Sequence, residues 1–164
     1  MDQPRQPLCH SAASALAPAA AIALVFAMLA SLSWRRWPDL MIDFGRELYV
    51  PWRLAGGAVL YRDVEHVYGP FSPCLNALVF KLSTVAYSSL MIVNLALTLT
   101  AALLVFLLLR RAFGRWAAGV SALIFLVVFA FGHATVIGGY NFVGPYAHEA
   151  VHGFLLLAGM LYGL

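Results

Sequence analysis

Residues 90–109 read LMIVNLALTLTAALLVFLLL, twenty residues without a charge, in which only Asn94, Thr98 and Thr100 interrupt the apolar side chains. A helix rises about 1.5 Å per residue, so the stretch covers about 30 Å, the thickness of a bilayer's hydrocarbon core. Arg110 and Arg111 follow at once and Arg115 is close behind. Residues 16–33 and 116–131 form two more apolar runs, and a fourth begins near Val151 and meets the chain end at Leu164. Hydrophobic residues make up 63% of the chain and charged residues 10%, whereas a soluble domain is about a quarter charged. The reading is an all-α polytopic membrane protein. A run that stops in mid-span reads as the N-terminal part of something longer. The first run is preceded by Arg5 alone and is longer than a secretory signal core, so it is expected to stay as a helix.

The charges divide the chain. Five of its seven acids lie between Asp39 and Glu65, and from Val67 onward Glu149 is the only one. The net charge of +3 sits on residues that flank the spans. Such residues set orientation, and no nucleic-acid partner is expected. A short loop rich in arginine should be cytoplasmic, which fixes the turn 110–115 and sends the loop 133–150 outside. The apolar segment 71–83 is only about a dozen residues long, which suits an interfacial or re-entrant helix better than a span, and it carries Pro73 and Lys81. Read as an interfacial helix, it leaves the loop 34–89 external too. Read as a crossing, which Arg35 and Arg36 favour, it would make that loop cytoplasmic. The expected order is a tail at 1–15, a span at 16–33, an external loop with interfacial helices at 34–89 and a span at 90–109. The basic turn 110–115, a span at 116–132, an external loop at 133–150 and the start of a truncated span at 151–164 follow.

Within the first loop, a helix over 42–54 would set Asp43 and Glu47, four apart, on one face, with Arg46 elsewhere. Tyr49 and Trp52 suit a headgroup region. Gly56-Gly57 should end this helix. Residues 61–63 read as extended, residues 68–70 as a turn, and Pro73 as part of the first turn of the next helix. Cys74 reads as a buried, inert thiol. A carboxylate held near a low-dielectric region has a raised proton affinity unless it is paired, which suits a general base or a cation ligand. The plain alternative is a solvated loop in which Arg46 and Arg53 neutralise the acids.

His148-Glu149-Ala150-Val151-His152 matches H-E-x-x-H, in which two His four apart can hold zinc and the Glu acts as base. On this reading His148, Glu149 and His152 belong to an intramembrane metalloprotease, with His133 the third ligand on offer. Two interfacial histidines beside an acid favoured by a helix N-terminus would give the same string without chemistry.

The string from Asp43 to Asp63, DFGRELYVPWRLAGGAVLYRD, followed by Tyr68-Gly-Pro-Phe-Ser-Pro73, resembles the first external loop of the GT-C membrane glycosyltransferases. The similarity is to the bacterial group related to protein O-mannosyltransferases and aminoarabinose transferases, and it runs over residues 40–153. The resemblance implies a truncated GT-C-like fold in which Asp43 aligns with the catalytic acid and Glu47 is its neighbour. It also implies that His66, Tyr68, Tyr146, His148 and Glu149 line one pocket, with Arg53 or Arg62 meeting the donor's phosphate. Phe44 and Gly45 follow Asp43 where relatives carry a second acid, which argues against metal dependence, and a divalent metal ion is the only cofactor in view. The implied activity is transfer of a sugar from a polyprenyl-phosphate donor to an acceptor at the external face of a bacterial inner membrane. A non-catalytic polytopic remnant is the third reading.

Overall fold

The computed structural model describes residues 13–34, 44–132 and 141–164. Asp39, Asp43, His133, Cys9, Arg35 and Arg36 lie outside them, and so do the expectations resting on those residues. Among the described residues every regular element is helical: α1 (Ala13–Ser33), α2 (Gly45–Ala55), α3 (Phe71–Leu82), α4 (Tyr87–Phe113), α5 (Arg115–Ile124) and α6 (His148–Gly163). A six-residue π-helical segment, Phe125–Ala130, continues α5.

Two helices, α1 and α4, are long and apolar enough to cross a membrane. Only 17% and 28% of their apolar segments are buried. The core helix of a soluble protein would be mostly covered. Here Leu24, Met28 and Leu32 of α1 and Ile92 and Leu103 of α4 face outward, as they would toward lipid tails. The third expected span is realised as Arg115–Ala130. It is about 24 Å long at 1.5 Å per residue, short of a full crossing.

The bundle has two distinct ends. Gly114, with φ of 81°, turns α4 into α5 beside Arg110, Arg111 and Arg115. The far end of α6 returns to this arginine end, where Arg111 donates to the Tyr162 carbonyl at 2.8 Å and stacks on its ring. Pro18, early in α1, packs where a Gly119 side chain would stand, so α1 and α5 touch backbone to ring. At the opposite end Phe26 meets Phe131 edge-on at 5.8 Å. There the Ala130 carbonyl accepts from Phe142 N–H, which brings residues 141–147 over the end of the π segment. Phe125, Phe142 and Phe154 form one aromatic cluster beneath that loop.

Helices α2 and α3 lie at the Phe131 end. Phe71, at the start of α3, packs on His152 in the first turns of α6. At 12 residues, α3 is about 18 Å long and does not reach the arginine end. Gly57, at φ 96°, lets the chain leave α2, as the paired glycines suggested. Two expectations are corrected. Residues 61–63 are a tight turn: Tyr61 N–H donates to the Val64 carbonyl, and the Asp63 carboxylate accepts from Val59 N–H at 2.8 Å. The Asp63 side chain thus replaces a backbone turn partner, and Tyr61 takes φ of 66°. Cys74 is exposed on α3, because Ser72, Pro73, Asn76 and Ala77 take the buried face.

Candidate functional site

Polar contacts join the first loop to residues 146–152 across 80 to 101 residues of sequence, and three of them carry a charged side chain. The deepest is Glu47 with His148. Glu47 Oε2 lies 2.6 Å from His148 Nδ1 and also accepts from the His148 backbone N–H at 3.3 Å. Glu47 Oε1 accepts from Arg46 Nε and Nη2 at 3.2 and 2.9 Å. The two side chains are 5% and 0% exposed. Burial alone would raise the carboxyl's proton affinity. The hydrogen bond from His148 Nδ1, then those from Arg46 and the His148 backbone N–H, outweigh that and hold it below the usual carboxylate range.

The His148 tautomer follows from its second neighbour. Asn94 of α4 sets Nδ2 at 3.1 Å from His148 Nε2 and donates from the same nitrogen to the Val143 carbonyl at 2.9 Å. Turning the amide over would aim its oxygen at that carbonyl, so the orientation is fixed. Nε2 therefore accepts from Asn94, and Nδ1 carries the proton donated to Glu47. Phe44 closes over the pair, 5.8 Å from the His148 ring and edge-on to Tyr87 at 5.0 Å.

Arg46 is the second link. Its guanidinium sits over the rings of Tyr68 and Tyr146, at 4.9 and 5.3 Å, and donates to the Tyr146 carbonyl at 3.1 Å. The third link is His66 Nε2 to Glu149 Oε1 at 3.1 Å, with Tyr68 edge-on to the imidazole. Beside these, His152 Nδ1 lies 2.8 Å from Ser72 Oγ, and both are buried.

The structure thus brings together Glu47, His66, Tyr68, Tyr146, His148 and Glu149. Arg53 and Arg62 belong to another group: Arg62 pairs with Asp63 at 2.9 Å and Arg53 lies over Tyr49 at 6.0 Å. Arg46, expected to face away from Glu47, instead binds it. Asn94, Ser72 and Asn141 were not singled out by sequence. The signal available for Asn94 was a polar residue inside an apolar span, where such residues are costly and tend to be functional.

The H-E-x-x-H string does not make a metal centre. Both ring nitrogens of His148 are engaged within the protein, and Glu149 turns to His66. Among the described residues no group of three or more His, Cys, Asp or Glu side chains is placed to hold a metal ion. His148 therefore has no nitrogen left for a metal ion, and the described residues complete no site around Glu149 and His152; His133, the third ligand on offer, lies outside them. An apolar groove of about 150 Å³ opens beside Tyr146, lined by Phe129, Phe142, Pro145, Ala150 and Val151 among others. No family model, no curated protein and no solved structure matches this chain.

Proposed function

We propose that this chain is the N-terminal part of a bacterial inner-membrane glycosyltransferase that uses a polyprenyl-phosphate-linked sugar. The observation that carries the reading is the meeting of two distant polar loops at one end of the helices. Arg46 joins Tyr146, Glu47 joins His148 and His66 joins Glu149. The arginine turn 110–115 occupies the other end, and by the orientation rule that end is cytoplasmic. A buried polar site at the external end suits a donor whose reactive carbon sits at the membrane surface while its tail stays in lipid. The groove under Tyr146 suits the apolar tail.

The reaction replaces one bond at the anomeric carbon. The acceptor oxygen attacks while the carbon–phosphate oxygen bond breaks, the phosphate leaves with the electron pair, and the configuration inverts. The acceptor proton needs a base, and the departing phosphate needs a cation. Arg46, fixed by two tyrosines at the site, is better placed for the phosphate than Arg53 or Arg62. Asp43, outside the described residues, would take the proton or hold the hydroxyl in line. Glu47 already accepts from four donors and is an anchor for the loops, a different role from the catalytic one the resemblance implied.

The test is sugar transfer in membranes carrying the full-length protein, with Asp43→Asn compared with Asp63→Asn at matched expression. Loss of transfer in the first and retention in the second is the expected result. Transfer by neither variant nor wild type, with any polyprenyl-phosphate sugar supplied, would sink the proposal.

A further inference from the structure

The site holds two histidine–glutamate pairs, and they differ in one respect. In Glu47–His148 every side-chain nitrogen and oxygen has a partner inside the protein. In His66–Glu149 one contact is made, and the remaining atom of each side chain, His66 Nδ1 and Glu149 Oε2, is buried with no hydrogen-bond partner. The His66 side chain is 3% exposed and that of Glu149 is 20% exposed. Buried polar atoms left unpaired are costly and rare, so two in one pair call for an explanation.

An ionised carboxylate only accepts, so the 3.1 Å contact requires the proton on His66 Nε2. The free Nδ1 then carries a lone pair. A carboxylate behind an imidazole fixes its tautomer and steadies the imidazolium once a proton arrives on the other nitrogen. His148 cannot do this, because Asn94 blocks its second nitrogen.

We infer that His66 is the base that takes the proton from the acceptor hydroxyl, with Glu149 as its positioning residue. This inference rests on the proposed transferase reaction. The hydroxyl proton moves to His66 Nδ1, the oxygen closes on the anomeric carbon, and the bond to the donor phosphate breaks with its electron pair. The imidazolium remains paired through Nε2–H with Glu149. Asp43 is then not the group that accepts the proton. The charged and titratable groups around the imidazole are Glu149 of α6, Tyr68 edge-on, and Arg46 of α2 beyond the Tyr68 ring.

Two measurements test it separately from the transferase reading. Histidine nitrogen NMR of the full chain in nanodiscs, with His66 assigned through His66→Gln, should show the neutral ring protonated at Nε2, and Glu149→Gln should abolish that preference. A ring protonated at Nδ1, or one indifferent to Glu149, overturns the dyad whether or not the protein transfers sugar. In the transfer assay, His66→Gln should lose about 10²–10⁴-fold and the acid limb of the rate–pH profile, with partial recovery on adding imidazole. An active wild type whose His66→Gln variant keeps that limb also overturns it. A wild type that transfers nothing removes the transferase reading and, with it, the role of His66 as base in that reaction; the spectrum then still shows whether Glu149 sets the His66 tautomer.

Discussion

Glu47→Gln keeps the side-chain volume and removes one acceptor. Glutamine has one oxygen where Glu47 uses two. If that oxygen faces His148, the amide N–H groups meet Arg46 Nε and Nη2, which are donors. If it faces Arg46, they meet His148 Nδ1–H and the His148 backbone N–H. The imidazole cannot escape by moving its proton, because Asn94 Nδ2 stands 3.1 Å from Nε2 and is held by the Val143 carbonyl. One set of charge-assisted bonds is lost at about 1.5–3 kcal/mol, and a buried donor left unpaired costs about 1–3 kcal/mol. The two terms overlap, so about 2–4 kcal/mol is expected. At about 1.4 kcal/mol per tenfold, opening of the α2–α6 junction should rise roughly 30- to 700-fold.

Hydrogen exchange by mass spectrometry in nanodiscs reads this directly on peptides covering residues 141–150. The exposed pair Arg62–Asp63 supplies the control, since Arg62→Gln should leave those peptides unchanged. Exchange in Glu47→Gln within about threefold of wild type would refute the reasoning. So would simple additivity with His148→Gln, because partners in one buried network couple by about 0.5–3 kcal/mol.

Three further outcomes follow from other parts of the structure. The folded-state proton affinity of Glu47 is depressed below its ordinary value of 4.5. The junction's contribution is therefore fully present above pH about 4.5 and is lost as pH falls through the lower folded value; a loss of protection at 141–150 between about pH 5 and 7, after correction for the intrinsic pH dependence of amide exchange, would contradict the pairing. Single cysteines at Tyr61, Tyr146 and Phe113, with Cys9 and Cys74 replaced, should label with an impermeant reagent in intact cells at the first two positions and not at the third; any other division would overturn the assigned orientation. A Cβ at Gly119 would stand 3.1 Å from the Pro18 Cβ, so Gly119→Leu should force α1 off α5 and cost about 1–3 kcal/mol, seen as a lowered thermal midpoint in detergent; an unchanged midpoint would mean that this contact is not tight.

Much of the helical layout was legible because length and apolar content carry it. Residues 90–109 form an uncharged apolar run of helical length, and the arginines that follow mark the turn out of α4. The start of α6 at His148 was less visible, since its apolar run begins only at Val151. The site was legible in its residue types and not in its pairings. Helical spacing relates residues three or four apart, whereas Glu47 and His148 are brought together by packing over 101 positions. Arg46 escaped for a related reason: neighbours on a helix point apart, yet its long side chain is bent back to Glu47 between Tyr68 and Tyr146. The turn at 61–63 was misread because the left-handed φ falls on Tyr61, a residue type that gives no sign of it.

His148 and Glu149 are consecutive on α6, and this couples the two pairs. A helix turns about 100° per residue, so fixing the direction of His148 fixes that of Glu149. The Glu47 lock, with Asn94 behind it, sets the rotation of the first turn of α6 and thereby aims Glu149 at His66. Damage should then be asymmetric. His66→Gln removes the base without touching Glu47, His148 or Asn94, so transfer should fall while exchange at 141–150 stays as in wild type. Glu47→Gln loosens the junction and disorients Glu149, so both exchange and transfer should change. If His66→Gln raised exchange at 141–150 as much as Glu47→Gln does, the open pair would itself be holding the loops together. Its two unpaired atoms would then not mark a place for a substrate.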